Sequence, residues 1–326
     1  MAFESMAPGD GYSAQAVYIR RTGDGGTTWT SRVRVSTYGD DIAEWGTGYD
    51  TPWYTAGRPA LAAYGAKVSL VFAEQYDLTP YYGVRYLGSS DGGRNWTEAG
   101  ELMIDDARPV TPAVARTSTQ VAVAWTDGDT GAIRVAVSSD GGDIFREAVT
   151  VGGTTATPWS DRWDPVGIGT YTYDGEPSIA FGSSGLYVTW NVGNRIVVRR
   201  STDGGRTWKP TVNLAWTPST AGPTVAASGA SIVVAYVTDT GAVVSRRSTD
   251  YGATWRAAQT LSSTTLDTDS LVLGRNGTSW MLAYERCLTG SCASTGLFVR
   301  TSTNAGSTWS SESRVSPTYS LSLIHI

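Results

Sequence analysis

The sequence predicts an all-β protein, a six-bladed β-propeller, and two repeated patterns support this prediction. The octamer STDGGRTW at residues 201–208 has five further copies along the chain, at intervals of 67, 49, 63, 47 and 54 residues. A second, apolar pattern runs in phase with it and begins with proline in four copies, at Pro59, Pro112, Pro177 and Pro223, with a weaker copy from Ser270. An internal repeat of this period is typical of solenoids and propellers.

Each repeat is expected to contain four short strands. Runs of Val, Ile, Leu and Ala, such as PSIAFGSSGLYVTW from residue 177, are separated by clusters of Gly and Asp, which is the pattern of strands joined by turns. The third and fourth strands flank the octamer, so the octamer is predicted to be a hairpin turn. Four antiparallel strands repeated radially form a propeller blade, and six octamers therefore predict six blades.

The octamer residues have a structural explanation. Asp203 is expected to fold its carboxylate onto N–H groups of the turn, and Gly205 to supply a positive φ. Trp208 adds a large apolar ring for burial. We therefore interpret the acidic or amide residue of every copy as structural: Asp24, Asp91, Asp140, Asp203, Asp250 and Asn304.

One domain, residues 1–320, is expected. Its blades are predicted at residues 1–36 (partial), 58–106, 107–151, 176–219, 220–264 and 265–316, with long loops at 37–57 and 152–175. Ala16 leads directly into the first octamer, so about two strands of the first blade are expected to be missing, and the sequence is interpreted as a fragment. Residues 321–326, LSLIHI, resemble a translated sequencing adapter and are left out of the fold.

Composition excludes several classes of function. The net charge is −5 and basic clusters are absent, so nucleic acid is not expected as a partner. No stretch approaches the ~20 apolar residues of a membrane span. The only histidine is His325, in the excluded segment, so Ser-His-Asp chemistry and His-ligated zinc are not expected.

The two cysteines, Cys287 and Cys292, lie in one short loop and are predicted to form a disulfide. Further metal ligands are absent nearby, so neither a metal nor another cofactor is expected. A disulfide indicates an extracellular or cell-surface protein.

The two long loops carry aromatic residues together with Asp. They lie on the side opposite the octamers, and long loops of this kind are often functional. Aromatic rings beside carboxylates suit the binding of sugar rings, although packing of the loops onto the blades explains the same residues. The aromatic candidates for substrate binding are Trp45, Trp53, Tyr54, Trp163 and Tyr171.

Further candidates lie where strands end on that side. The residue before the inner-strand proline varies between repeats, and it is Arg58 in one blade and Glu176 in another. Glu74 and Glu285, with the adjacent Arg286, end second strands. Solvated or salt-bridged residues at a rim are the alternative interpretation.

The octamer is the Asp-box, and residues 16–316 resemble the sialidase-like superfamily of Asp-box, or BNR-repeat, propellers. The resemblance implies an arginine triad that holds a substrate carboxylate, a tyrosine nucleophile paired with glutamate, and an aspartate acid/base. It places Arg58 in the clamp, Tyr173 with Glu176 as the nucleophile pair, and Arg108 or Arg286 as further clamp residues. Arg58 lies in Gly-Arg-Pro, which departs from the family's Phe/Tyr-Arg-Ile-Pro motif.

The expected function is that of an extracellular sialidase-like propeller that recognises a carbohydrate or glycoconjugate. An exo-acting glycoside hydrolase of the exo-α-sialidase type is one interpretation. A non-catalytic propeller that binds glycans or proteins is the second. An architectural module of a larger surface protein is the third.

Overall fold

The computed structural model describes residues 2–6, 15–24, 27–36, 56–76, 81–98, 109–155, 175–217, 221–262, 266–290, 292 and 294–315; for a few strand residues only the backbone is described. Strands and turns make up these residues, and no helix occurs among them. The strands form five four-stranded antiparallel sheets and one three-stranded sheet.

The five four-stranded sheets are blades of a β-propeller, and in each of them the strands pair in chain order. The first strands of successive blades contact one another, so they form the inside of the propeller. Blade I contains β4 (Ala56–Tyr64), β5 (Lys67–Tyr76), β6 (Tyr81–Ser89) and β7 (Thr97–Glu98). Blade II contains β8 (Pro109–Arg116), β9 (Val121–Asp127), β10 (Ala132–Ser138) and β11 (Val149–Gly153). Blade III contains β12 (Ser178–Gly182), β13 (Gly185–Val192), β14 (Arg195–Ser201) and β15 (Val212–Trp216). Blade IV contains β16 (Thr224–Ser228), β17 (Ser231–Val237), β18 (Val243–Ser248) and β19 (Gln259–Thr260). Blade V contains β20 (Thr268–Asn276), β21 (Ser279–Cys287), β22 (Thr295–Ser302) and β23 (Ser313–Arg314).

The three-stranded sheet precedes blade I in the chain and contains β1 (Ala2–Met6), β2 (Gln15–Ile19) and β3 (Val33–Arg34). The expected truncation of the first blade by about two strands is not confirmed, since β1 precedes β2 and pairs with it from Ala2↔Ile19 to Met6↔Gln15. A sequence of mixed polarity, AFESM, thus forms a strand that the apolar repeat does not predict. The four-stranded blades number five rather than six.

The core lies between the sheets. Each apolar cluster joins neighbouring blades: Val135 and Val151 of blade II, for example, share a cluster with Val188 and Trp190 of blade III. Central second strands such as β9 are buried along their whole length. Burying large apolar side chains on both faces of a blade is the main favourable term in holding such sheets together.

The octamers form the turns between third and fourth strands. In blade III, Asp203 Oδ1 accepts hydrogen bonds from the N–H groups of Arg206 at 3.0 Å and Thr207 at 2.9 Å. Ser201 Oγ donates to Asp203 and accepts from Gly205 N–H, both at 2.8 Å. Gly205 has a φ of +83°, and a Cβ there would lie 2.8 Å from Val137 of blade II. The octamer of blade III therefore forms its turn through the carboxylate hydrogen bonds and the positive φ that the sequence predicts.

Because strands alternate in direction, the octamer turns lie at one edge of the blades, here called the lower rim. The opposite edge, where first strands begin and second strands lead into third strands, is the upper rim.

Candidate functional site

The upper rim has an irregular backbone where three of the inner strands begin. The register of β4 shifts between Gly57 and Ala60, and β8 and β20 shift at the corresponding places. Thr111 in β8 has a φ of 50° and Ser270 in β20 a φ of 47°. A positive φ at a β-branched residue is unfavourable, and bulges beside functional sites re-aim side chains. The upper rim therefore combines strain with the candidate residues.

Glu176 lies two residues before the start of β12, on the inner side of blade III. Its Oε2 accepts a hydrogen bond of 2.9 Å from the backbone N–H of Gly222, which precedes the first strand of blade IV. A Cβ on Gly222 would lie 2.5 Å from Glu176 Cβ, so only glycine permits this approach. The carboxylate is thereby held in one orientation between two inner strands.

Asn191, which the sequence reasoning missed, fixes the backbone on which Glu176 stands. Its Oδ1 accepts from the N–H groups of Gly175 at 3.1 Å and Glu176 at 3.3 Å. Thr126 of blade II donates its hydroxyl to Gly175 O. Asn191 follows the aromatic Trp190 directly, as Glu285 follows Tyr284. Because Asn191 occupies the same position in its strand as the candidate residue Glu285, the sequence could have pointed to Asn191 as well.

Arg286 lies near the end of β21 and is engaged by Glu312. Its Nη1 and Nη2 donate to the two carboxylate oxygens of Glu312 at 2.9 and 2.8 Å, a bidentate pair. The guanidinium also lies 4.0 Å above the centre of the Phe298 ring. The two guanidinium nitrogens that would bind a substrate carboxylate side by side already bind Glu312. Arg286 is therefore not expected to be a clamp residue. No feature of the sequence repeat predicts Glu312 as the partner of Arg286.

Tyr284 shares the same carboxylate, because its hydroxyl donates to Glu312 Oε2. Burial raises the pKa of Tyr284 strongly, and the Glu312 carboxylate raises it further. The phenol therefore stays neutral and acts as a hydrogen-bond donor. Glu285 points to the other face of the strand, where its Oε1 accepts from the Thr295 hydroxyl at 2.5 Å.

The bridge between Cys287 and Cys292 closes the connection between β21 and β22 on the upper rim. Asp267 Oδ2 lies 3.8 Å from Cys292 Sγ, and these three residues form a group with the spacing of metal ligands. The sulfur atoms of Cys287 and Cys292 are bonded to each other in the disulfide, so neither is the thiolate that a metal would require.

Several predicted site residues cannot be compared with this geometry. Arg58 and Glu74 lie in β4 and β5, and their backbone alone is described. The others lie outside the described residues: Trp45, Trp53, Tyr54, Arg108, Trp163, Tyr171 and Tyr173. Residues 321–326 also lie outside them.

The arrangement of the blades is similar to that of solved glycosidase structures. The intramolecular trans-sialidase from Ruminococcus gnavus, in complex with oseltamivir carboxylate, matches with a TM-score of 0.57 and 11% identity over 87% of this chain and 86% of that chain. Trypanosoma rangeli sialidase, in complex with sialic acid, matches with a TM-score of 0.55 and 11% identity over 90% of this chain and 50% of that chain. The chain has a sialidase-like propeller fold.

The fold is also similar to that of a solved arabinanase structure. Penicillium chrysogenum α-L-arabinanase, in complex with arabinobiose, matches with a TM-score of 0.50 and 12% identity over 87% of each chain. No protein-family model and no curated protein matches the sequence. At these identities the likeness establishes the fold. A fold of this kind does not by itself establish a function, which depends on the residues of the site.

Within its described residues, this sialidase-like propeller has no helix with the length and apolar character needed to cross a membrane.

Proposed function

We propose that this sialidase-like propeller recognises carbohydrate at its upper rim and acts as an exo-acting glycoside hydrolase of the exo-α-sialidase type. The observation that carries the proposal is the fixed carboxylate of Glu176 at the start of an inner strand. A catalytic group gains most when it is held in position before substrate binds. Glu176, just before the first strand of blade III, meets that requirement through its hydrogen bond to Gly222.

In this proposal Tyr173 attacks the anomeric carbon of the sugar and Glu176 accepts the phenol proton. The glycosidic bond breaks, and the aglycone leaves with a proton from the aspartate acid/base that the resemblance implies. Water then displaces the tyrosine and releases the sugar. Tyrosine in place of a carboxylate nucleophile is the known departure of sialidases from the usual pair of acids. Arg58 binds the carboxylate of the sugar, because a guanidinium forms two parallel hydrogen bonds to it. Arg108 is a further clamp residue of the proposal, and Glu74 and Glu285 border the same rim. The rings of Trp45, Trp53, Tyr54, Trp163 and Tyr171 stack on the sugars.

The proposal is tested by following release of the fluorophore from a fluorogenic α-sialoside by the purified chain. We expect turnover, and a loss of about 100-fold or more in kcat for Glu176→Gln and Tyr173→Phe, since acid–base groups contribute about that much. Arg58→Ala should raise KM. The exposed Glu147 lies on the lower rim, and Glu147→Gln is the control that should retain activity. Absence of turnover in the unaltered chain would contradict a sialidase.

A non-catalytic glycan-binding or protein-binding propeller is the second candidate. It is favoured by the bidentate pair of Arg286 with Glu312, since this guanidinium already has a structural partner. Binding on a glycan array without turnover, lost in a Trp53→Ala, Trp163→Ala double variant, would support this candidate. If neither turnover nor glycan binding is observed, a protein-binding or architectural module of a larger surface protein remains.

We further infer that the three-stranded sheet is the sixth blade of this propeller and that the protein is extracellular. Support for the blade comes from Ala2, Val17 and Ile19, which share an apolar cluster with Leu70 and Phe72 of blade I. Support for the location comes from the disulfide.

A further inference from the structure

Two third strands carry consecutive arginines whose side chains point to opposite faces of the blade. Arg199 in β14 points back to blade II, where its Nη1 donates to Val151 O at 2.6 Å. Arg246 in β18 points back in the same way to Leu214 O of blade III. The second arginine of each pair, Arg200 or Arg247, consequently faces the following blade.

Arg200 fills its side of the interface between blades III and IV and is held there through its Nη2, while its Nε is buried without a hydrogen-bond partner. Its Nη2 donates to Ser184 O at 3.0 Å and to Ser184 Oγ at 2.9 Å. Its guanidinium lies 5.8 Å from the ring centre of Tyr187 and 5.6 Å from that of Tyr251, the third residue after Ser248 in the next octamer. Every partner of Arg200 is therefore a hydroxyl, a carbonyl or an aromatic ring.

Arg247 occupies the same position between blades IV and V but lacks all three kinds of partner. Val233 pairs with Arg247 across the strands as Tyr187 pairs with Arg200. Ala305 replaces Tyr251, with a similar φ of 56° against 61°. Ala230 precedes the second strand of its blade as Ser184 does. Each replacement is small and apolar. An open space therefore lies beside the Arg247 guanidinium, which has no hydrogen-bond partner among the described residues.

A cleft of about 350 Å³ lies at this place, and its lining comes from blade IV and from the octamer turn of blade V: Ser245, Arg247, Arg256, Ala257, Gln259, Gly306 and Ser307. The Nε of Arg247 is buried without a hydrogen-bond partner, as is the Nε of Arg200, so the two arginines differ in their Nη groups, which are bonded to Ser184 only in Arg200. Among the described residues, neither Arg247 nor Arg256 has a salt bridge or a side-chain hydrogen bond. A buried donor left unpaired costs free energy that a ligand can recover.

We propose that this cleft is a binding site for an oxyanion, the carboxylate or sulfate group of a small acidic ligand, separate from the upper rim. Arg247 supplies the planar fork, which matches two oxygens of such a group. Arg256 adds a second positive charge at the mouth, and Ser245, Gln259 and Ser307 supply neutral polar groups around it. The volume lies at the lower end of the range for small-molecule sites, which suits a group the size of one acidic sugar.

Titration of the full chain with sodium sulfate and, separately, sodium glucuronate tests the proposal. The ionic strength is held constant, and the readout is the 15N–1H NMR signal of the Arg247 Nε–H. We expect a saturable shift with at least one anion, weakened about tenfold or more by Arg247→Ala as read from neighbouring backbone amides. Saturation by sulfate alone assigns the site to sulfated ligands, and saturation by glucuronate assigns it to carboxylates.

Two variants keep the result interpretable. Arg206→Ala removes one positive charge from an exposed octamer turn and should leave the affinity unchanged. Ala305→Tyr fills the cleft with the residue found at the blade III and IV interface, so it should abolish binding while the chain stays folded. Equal affinity in Arg247→Ala and the unaltered chain, or no saturable binding of either anion, would overturn the proposal.

Discussion

One acidic or amide side chain organises each octamer turn, and the last copy, with Asn304, shows that the turn does not require the charge. Asp250 Oδ1 accepts from Thr254 N–H at 2.8 Å, and Asn304 Oδ1 accepts from Thr308 N–H at 2.9 Å. The amide nitrogen of Asn304 donates to the Thr308 hydroxyl at 2.8 Å, whereas in the copies with Asp24, Asp203 and Asp250 the threonine hydroxyl donates to the carboxylate. The geometry of the turn is thus conserved between charged and neutral versions.

These hydrogen bonds favour the ionised form of the aspartates. The bond from the Thr254 hydroxyl, followed by the one from its backbone N–H, lowers the pKa of Asp250 from the ordinary value of 3.8 to about 2. The pKa values of Asp24, Asp91 and Asp203 are lowered in the same direction by comparable bonds. A carboxyl whose pKa is lower in the folded state stabilises the fold above its unfolded pKa.

We predict that Tm falls as the pH decreases from about 4 to about 2, because the folded pKa of Asp250 is near 2 and the contribution is lost as the pH falls through it. Asp250→Asn should reduce the size of this fall while the turn is retained. Thermal unfolding followed by circular dichroism across that pH range measures it. Asp239→Asn, outside the octamers, is the control, and a profile of Asp250→Asn parallel to that of the unaltered chain would contradict the prediction.

Among the elements, the connection between β21 and β22 is held by a disulfide, an ion pair and a backbone hydrogen bond. The disulfide between Cys287 and Cys292 closes it, and the Arg286 and Glu312 pair joins β21 to the segment before β23. Leu288 N–H also donates to Ser294 O at 2.8 Å. This connection therefore forms a fixed part of the upper rim.

We predict that a Cys287→Ala, Cys292→Ala double variant lowers the free energy of unfolding by about 2 kcal/mol, the loop-entropy value for a bridge this short. Chemical denaturation of the variant and of the unaltered protein measures the difference. Adding reductant should destabilise the unaltered protein and leave the variant unchanged. Equal sensitivity of both proteins to reductant would show that the bridge contributes nothing.

At the scale of the whole molecule, stability depends on the interfaces between blades. Trp190 of blade III is buried, and its Nε1 donates to Gly153 O of blade II at 3.3 Å. Its ring lies so close to Gly152 that a Cβ there would be 2.3 Å from Cζ2. The same two blades are joined at the lower rim by the octamer of blade III against Val137. Adjacent blades are therefore expected to unfold together.

We predict that Gly152→Ala lowers the free energy of unfolding by about 1–3 kcal/mol, the cost of overpacking a well-filled interface. Gly153→Ala is the matched control one residue further along, because its Cβ would meet nothing closer than 3.5 Å. That control should stay within about 0.5 kcal/mol of the unaltered chain. Urea denaturation of both variants distinguishes them, and an equal loss in the two would exclude the contact with Trp190 as the cause.

The sequence by itself determined the features that depend on near neighbours in the chain. The strands of blades I to V follow from short apolar runs, and the octamer turns follow from residues at most four positions apart, as with Asp203 and Thr207. The pairing of Cys287 with Cys292 is equally local. The all-β propeller fold was predictable for this reason.

Only the tertiary structure decided which polar residues meet across distance. The bonds of Glu176 to Gly222, of Arg286 to Glu312 and of Asn191 to Gly175 join residues 46, 26 and 16 positions apart. The cleft beside Arg247 exists because three residues from different strands and turns are small at once. The strand Ala2–Met6 forms through pairing with Gln15–Ile19 rather than through its own apolar pattern. Such contacts depend on how whole blades pack against one another, which no short stretch of sequence encodes.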